Sequence, residues 1–217
     1  MGSLSTLLLN IVQDEVLHAR WLNTLSFLEN CGAKKIAACE HPTLVREEML
    51  KHAAEEFRHS LYLKRQIGRC SGFVCPDYSP PYILGGFASL RYLDRLDLLT
   101  SRFLVEQISS DKRKVREMAY LLVTYAIEVR ARKLYPSYEQ VLRGCGSRVF
   151  VKSIILEEEE HLREMEGGIA KMVSGVTYAR RIRLFEEGLF RKWMQALERA
   201  VISWRNSTSI PKGKSFA

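Results

Sequence analysis

Proline and glycine are scarce in this chain, six and 13 of 217 residues, and long apolar runs are missing. No apolar stretch approaches the roughly 18 residues that a membrane-spanning helix needs, so no membrane insertion is expected. The opening MGSLSTLLLNIVQDE has a short apolar run without a basic segment before it, and acidic residues follow at once. No secretory signal is expected from it. The apolar–polar alternation of a half-buried strand is almost absent. Cysteine is present only as five widely spaced residues, Cys31, Cys39, Cys70, Cys75 and Cys145. An odd number so placed argues against a disulfide framework and predicts reduced thiols in a cytoplasmic protein. Cys70 and Cys75 lack the second cysteine pair of a structural zinc site.

The chain does have an ordinary globular composition, 47% hydrophobic and 27% charged, and enough length to bury a core in a single domain. The net charge of +8 is uneven: from residue 177 onward, nine Lys/Arg face three Glu. Such a segment suits nucleic acid, an acidic protein or anionic lipid, or serves solubility.

Few breakers leave long segments with 3.6-residue spacing, so the fold class is all-α. A first helix is expected over 14–38, with Asp14 as its cap, broken by His41-Pro42. A second is expected over 43–67, opened by Thr43 and ended by Gly68. Residues 68–86 form a Pro/Gly/aromatic connection, followed by a helix over 87–107. Ser110 or Asp111 caps the next, which Pro136 stops after Tyr135, with a short turn of helix over 137–143. Further helices are expected over 147–165, ended by Gly167-Gly168, and over 177–204. The last carries a stripe at Tyr178, Ile182, Phe185, Leu189, Trp193, Leu197 and Trp204, read as core packing. Residues 1–205 make one helical domain, and the basic tail 206–217 is expected to be disordered.

Three E-x-x-H pairs occur: Glu15/His18, Glu56/His59 and Glu158/His161. On a helix this spacing puts a carboxylate and an imidazole on one face, but with this composition about half a match arises by chance. Two pairs follow a helix with a lone inward glutamate. Glu29 comes 27 residues before Glu56, and Glu128 comes 30 residues before Glu158. Glu15/His18 has no such predecessor and reads as a capping acid and a surface histidine.

The run LEEEEHL at 156–162 separates into two faces. Glu158 neighbours Val151, Ile154, Leu162 and Met165 at helical spacing, whereas Glu157, Glu159 and Glu160 form a solvated flank. Glu29 sits among Leu22, Leu25, Ala33 and Ile36, with Gly32 leaving room. Glu128 sits among Leu121, Thr124, Tyr125 and Ala131, and Glu56 among Met49, Ala53 and Leu63. Carboxylates on apolar helix faces are costly unless paired or metal-bound. The competing reading is four unrelated acids, each in a salt bridge with arginine. Two divalent ions would supply the charge, and oxygen-rich ligation with one imidazole per metal suits iron or manganese better than zinc.

Glu, Glu-x-x-His, Glu, Glu-x-x-His on four helices resembles the ferritin-like di-iron carboxylate superfamily. The resemblance covers about 14–66 and 111–166. It implies a four-helix bundle with a crossover insertion over 67–110 and an added C-terminal helix. It also implies metal ligands Glu29, Glu56, His59, Glu128, Glu158 and His161. Glu29 with His59 and Glu128 with His161 would cap the two metals, and Glu56 and Glu158 would bridge them. The implied cofactors are two iron ions (or manganese, or a mixed pair) and O2, with electrons from a separate reductase or ferredoxin. The implied activity is oxidation or hydroxylation of a small organic substrate in an adjacent apolar cavity. Tyr125, one turn before Glu128, is a candidate redox-active phenol or hydrogen-bond donor, against the alternative of a core tyrosine. His52, one turn before Glu56, is a candidate extra ligand or a residue that orients one. The stretches YAIEVRARKL and YARRIRLFEE resemble, more loosely, the second half of bacterial di-iron tRNA hydroxylases. There the basic Arg180, Arg181 and Arg183 would hold RNA. A non-catalytic helical interaction module is the third class. Homodimers are common in such folds.

Overall fold

Helices make up most of the described chain, and no strand occurs among the described residues. The computed structural model describes residues 3–39, 41, 43–70, 72–108 and 111–209. Helices α1 (Leu4–Val12), α2 (Glu15–Ala38) and α3 (Glu47–Cys70) lead to a 3-10 turn at Pro80–Tyr82. Then follow α4 (Phe87–Leu90), α5 (Tyr92–Ile108), α6 (Lys112–Gly144), α7 (Lys152–Ala170) and α8 (Gly175–Ser209). Helices α2 and α3 pack as one hairpin and α6 and α7 as another, with α5 and α8 laid against α6.

Side-chain caps fix several starts, because they satisfy amides that have no partner inside the helix. Asp14 accepts from the amides of Val16 and Leu17 at 3.0 and 2.9 Å. Asp111 does the same for Arg113 and Lys114 at 3.0 and 3.2 Å, and Ser110 lies outside the described residues. Helix α3 starts later than expected. The His41 ring instead accepts from the amides of Thr43 and Leu44, and exposed Leu44 and Val45 have nothing to bury against. Pro42 lies outside the described residues. Gly68 does not end α3, which runs to Cys70.

The largest departure is at Pro136, which stands inside one continuous helix, α6. An interior proline forfeits a backbone bond and costs about 3 kcal/mol. The turns beyond it bury Tyr138 and Leu142 completely, each worth about 1.5–3 kcal/mol, and that outweighs the loss. Residues 147–151 are not helical as expected, because buried Val151 donates its amide to Glu139 at 2.9 Å, docking the segment against α6. Helix α7 then runs through Gly167 and Gly168. A Cβ at Gly168 would lie 3.0 Å from Leu121, so this glycine lets α7 approach α6 closely.

The expected helix over 87–107 is interrupted at Arg91. Ser89 pins the short α4, donating to the Leu84 carbonyl and accepting from Trp193 Nε1 at 2.7 Å. Helix α1 was not anticipated; its Leu7, Leu8 and Ile11 are buried against α2, α6 and α8. The stripe on α8 does pack into the core, with Ile182, Trp193 and Leu197 buried and Tyr178, Phe185, Leu189 and Trp204 half-buried. Helix α8 continues past 205 to Ser209, so those first tail residues are helical; the remainder of the tail lies outside the described residues. All five cysteines are free thiols. No described helix is long and apolar enough to cross a membrane.

Candidate metal centre

Four helices bring the anticipated residues to one place. Helix α2 supplies Glu29, α3 supplies His52, Glu56 and His59, α6 supplies Glu128, and α7 supplies Glu158 and His161. His52, Glu56 and His59 stand at i, i+4 and i+7, so one stripe of α3 presents all three. Two groups of donor atoms form, each with its atoms within 4.8 Å of one another. One is His52, Glu56, Glu128 and His161; the other is Glu29, Glu56, His59 and Glu158. Glu56 belongs to both. Glu158 also lies within hydrogen-bond reach of Glu128, between the two groups.

Every member except half-buried Glu29 is at most 5% exposed. None of the four carboxylates pairs with a lysine or arginine among the described residues, which removes the reading of four acids bridged to arginine. The inward ring nitrogens, His52 Nε2, His59 Nδ1 and His161 Nδ1, have no hydrogen-bond partner, and neither do Glu128 Oε2 and Glu158 Oε1. Distances are nonetheless short: His52 Nε2 lies 3.3 Å from Glu128 and 3.4 Å from Glu56, and His59 Nδ1 lies 3.2 Å from Glu158. These atoms converge without aligning on each other.

Without a cation the cluster must take up protons. Burial, and then the Glu56 charge, push Glu29 well above the carboxylate range. Burial, and then Glu128, do the same to Glu158. Burial raises Glu128 to about 8. At Glu56 burial is overcome by the close approach of His52 and then of Glu29, which hold it at about 2. At His59 burial is overcome by Glu158, raising it to about 9, whereas burial keeps His161 below its usual value.

The outward nitrogens are fixed by a second ring of groups. His59 Nε2 lies 2.7 Å from Glu157, and His161 Nε2 lies 2.9 Å from Glu55. His52 Nδ1 lies 3.5 Å from Tyr120 Oη. Glu55 and Glu157 each immediately precede the glutamate of an E-x-x-H pair, and each reaches across to the histidine of the other hairpin. Glu157 is therefore not part of a solvated flank: half-buried, it also pairs with Arg58. Glu159 and Glu160 are exposed as expected. Glu55 was overlooked because crossing between hairpins has no local signature; the repeated E-E-x-x-H was its one visible trace.

A cavity of about 560 Å³ opens against the side of the cluster formed by Glu29, His52, Glu56 and Glu128, with a largely apolar wall from α2, α5 and α6. Tyr125 does not reach it. It packs in the apolar cluster of α5, α6 and α8. Tyr135, two turns beyond Glu128 and nearly in line with it, is buried in the cavity wall and donates its hydroxyl to Glu29. His18, expected at the surface, is instead buried and lies 2.6 Å from Tyr138 Oη. The continuation of α6 past Pro136 supplies that tyrosine. Arg180 and Arg181 lie exposed on α8 and Arg183 pairs with Glu187; none lines the cavity.

No family model, curated protein or solved structure matches the chain. What the molecule shows by itself is an all-helical protein with a buried His/Glu cluster able to hold metal.

Proposed function

We propose that the chain is an oxygen-dependent oxidoreductase built on a dinuclear metal centre, with α2, α3, α6 and α7 forming a bundle of the ferritin-like type. One observation supports this reading: three histidines and four glutamates converge in the interior with no lysine or arginine paired to them among the described residues, and five of their inward atoms lack partners. Buried groups in that condition are expensive unless a metal is bound. The donor set fits two iron or manganese ions, since carboxylate oxygen outnumbers imidazole nitrogen. His52, Glu56, Glu128 and His161 would hold one ion, and Glu29, Glu56, His59 and Glu158 the other. Two such ions, when bound, supply the redox chemistry that activates O2, with electrons from a reductase or ferredoxin.

The chain's own groups prepare the site around them. Glu56 is shared and couples the two halves. Glu55, Glu157 and Tyr120 lock the three imidazoles with one nitrogen facing inward, as ligand histidines require. Tyr135 holds a proton at its hydroxyl against Glu29 on the cavity side. The apolar wall keeps bulk water from the same side and leaves room for an organic substrate. Elemental analysis after expression with iron tests the reading. About two transition-metal ions per chain are expected, and Glu56→Ala should remove both while circular dichroism still reports helix. Fewer than about one ion per chain in the parent protein, unchanged by Glu56→Ala, overturns it.

A further inference from the structure

We infer that the cavity takes a linear aliphatic acid, its carboxylate at the mouth beside Lys112 and Arg116 and its hydrocarbon chain directed inward to the His/Glu cluster. The assignment of this acid as substrate rests on the metal-centre reading above; its binding rests on the cavity alone. Shape is the first argument. The wall contributed by α6 includes Arg116, Ala119, Val123 and Ile127, a stripe at three- and four-residue spacing along one helix face, with Glu128 beside Ile127. From Arg116 to Glu128 that face is roughly 18 Å long at 1.5 Å per residue. A cavity so extended, and of about 560 Å³, suits a chain rather than a compact ring.

Charge gives the direction. The inner end carries Glu29, Glu56 and Glu128 and would repel an anionic head, and Arg130, also in the lining, is already held by Glu186 at 2.6 and 2.7 Å. The outer end carries exposed Lys112 and Arg116, neither of which pairs with a carboxylate among the described residues. Asp97, also at the mouth, is already held by Lys35 at 3.2 Å. Lys112 is the first residue of α6, and the first turn has no acidic residue. Asp111 caps that end and Arg113 pairs with Glu117, so Lys112 and Arg116 are the basic groups of the lining left there to meet an anionic head.

Calorimetric titration of the full chain, metal-free and iron-loaded, with dodecanoate, dodecanol, dodecylamine and dodecyl phosphate tests this. Dodecanoate should bind both forms, with dodecanol and dodecylamine weaker by about tenfold. Lys112→Glu with Arg116→Glu should weaken dodecanoate by about the same factor and leave dodecanol unchanged. Ala119→Trp, which fills the cavity, should abolish binding of all chain-bearing probes. Equal affinity for dodecanol and dodecanoate, tighter binding of dodecyl phosphate, or binding that survives Ala119→Trp overturns the assignment. Metal content of the same samples separates the two readings. Dodecanoate bound by a chain that never loads metal leaves the cavity assignment standing and the metal centre fallen. A chain that loads metal and ignores dodecanoate does the reverse.

Discussion

The two hairpins carry the same ligand grammar and yet are not equivalent. Each has an inward glutamate on its first helix and E-E-x-x-H on its second. Four residues before the inner glutamate, however, α3 has His52 where α7 has buried Ile154. One donor group therefore has two imidazoles and two carboxylates, and the other has one imidazole and three carboxylates. Access differs as well: Glu128 is buried and Glu29 half-buried, its hydroxyl partner Tyr135 lying in the cavity wall. The repeated pattern thus produces a pair of unlike donor groups that both border the cavity, one with more nitrogen and one with more carboxylate oxygen.

The comparison breaks most visibly by removing one half at a time. Glu128→Ala and Glu29→Ala should each lower metal content by about one ion per chain, from opposite halves, whereas Glu56→Ala removes both. Elemental analysis of the three purified variants decides it. Equal losses in all three would mean that the halves assemble only together, and the two-group description would fail.

The next effect is on pH dependence in the metal-free protein. Glu128 is raised to about 8 and His59 to about 9, so between pH 6.5 and 8 the folded chain holds more protons than the unfolded one. Stability therefore falls as pH rises through that window, by at most about 1.4 kcal/mol per pH unit for each group. The depressed groups, Glu56 and His161, act below that window. Urea midpoints at pH 6.5 and 8 measure the fall, and Glu128→Gln should reduce it. Metal reverses the trend, because ligands must lose protons to bind. A midpoint that rises with pH in metal-free protein would contradict the electrostatics described.

Much of this could be read in the sequence, for a local reason. Helical spacing alone shows that Glu29, Glu56, Glu128 and Glu158 share faces with leucine, isoleucine and alanine, and the structure brings all four together. What spacing cannot show is anything that depends on a neighbouring helix. The rule that proline ends helices misread Pro136, since the burial of Tyr138 and Leu142 that overrides it is tertiary. The same error concealed the burial of His18, whose partner Tyr138 lies beyond Pro136. Nearness in sequence to Glu128 draws attention to Tyr125, whereas Tyr135, at a seven-residue offset, is nearly in line with Glu128 on the helix. Glu157 reads as solvated and Glu55 draws no notice because their partners belong to the opposite hairpin.

A smaller effect sharpens the asymmetry itself. His52→Ala should weaken only the half-site containing Glu128 and His161, leaving it two carboxylates and one imidazole. Its affinity for cobalt should fall more than its affinity for manganese, because imidazole favours the later metal. Competitive titration with the two ions measures that ratio. An unchanged ratio would place His52 outside the ligand set, as a residue that only buttresses Glu56.

The smallest effect concerns the crossing itself. Glu55→Gln and Glu157→Gln keep size and hydrogen bonding but remove the charge that orients a histidine. Each should cost about tenfold in metal affinity, the low end for loss of an outer partner of a ligand. The half-site affected should be the one opposite in sequence. Glu55 lies on α3, yet its loss should weaken the ion held by His161 of α7; Glu157 lies on α7, yet its loss should weaken the ion held by His59 of α3. The two losses should not be equal. Glu157 also pairs with Arg58 and its carboxylate stays below the usual range, burial being outweighed by Arg58 and His59. Its substitution leaves an arginine unpaired as well, so Glu157→Gln should have the larger effect. Stepwise titration resolving the two binding events, in each variant and in the double substitution, reads this directly. Losses that fall on the residue's own hairpin would mean the outer carboxylates act through their helices and not through the histidines they touch.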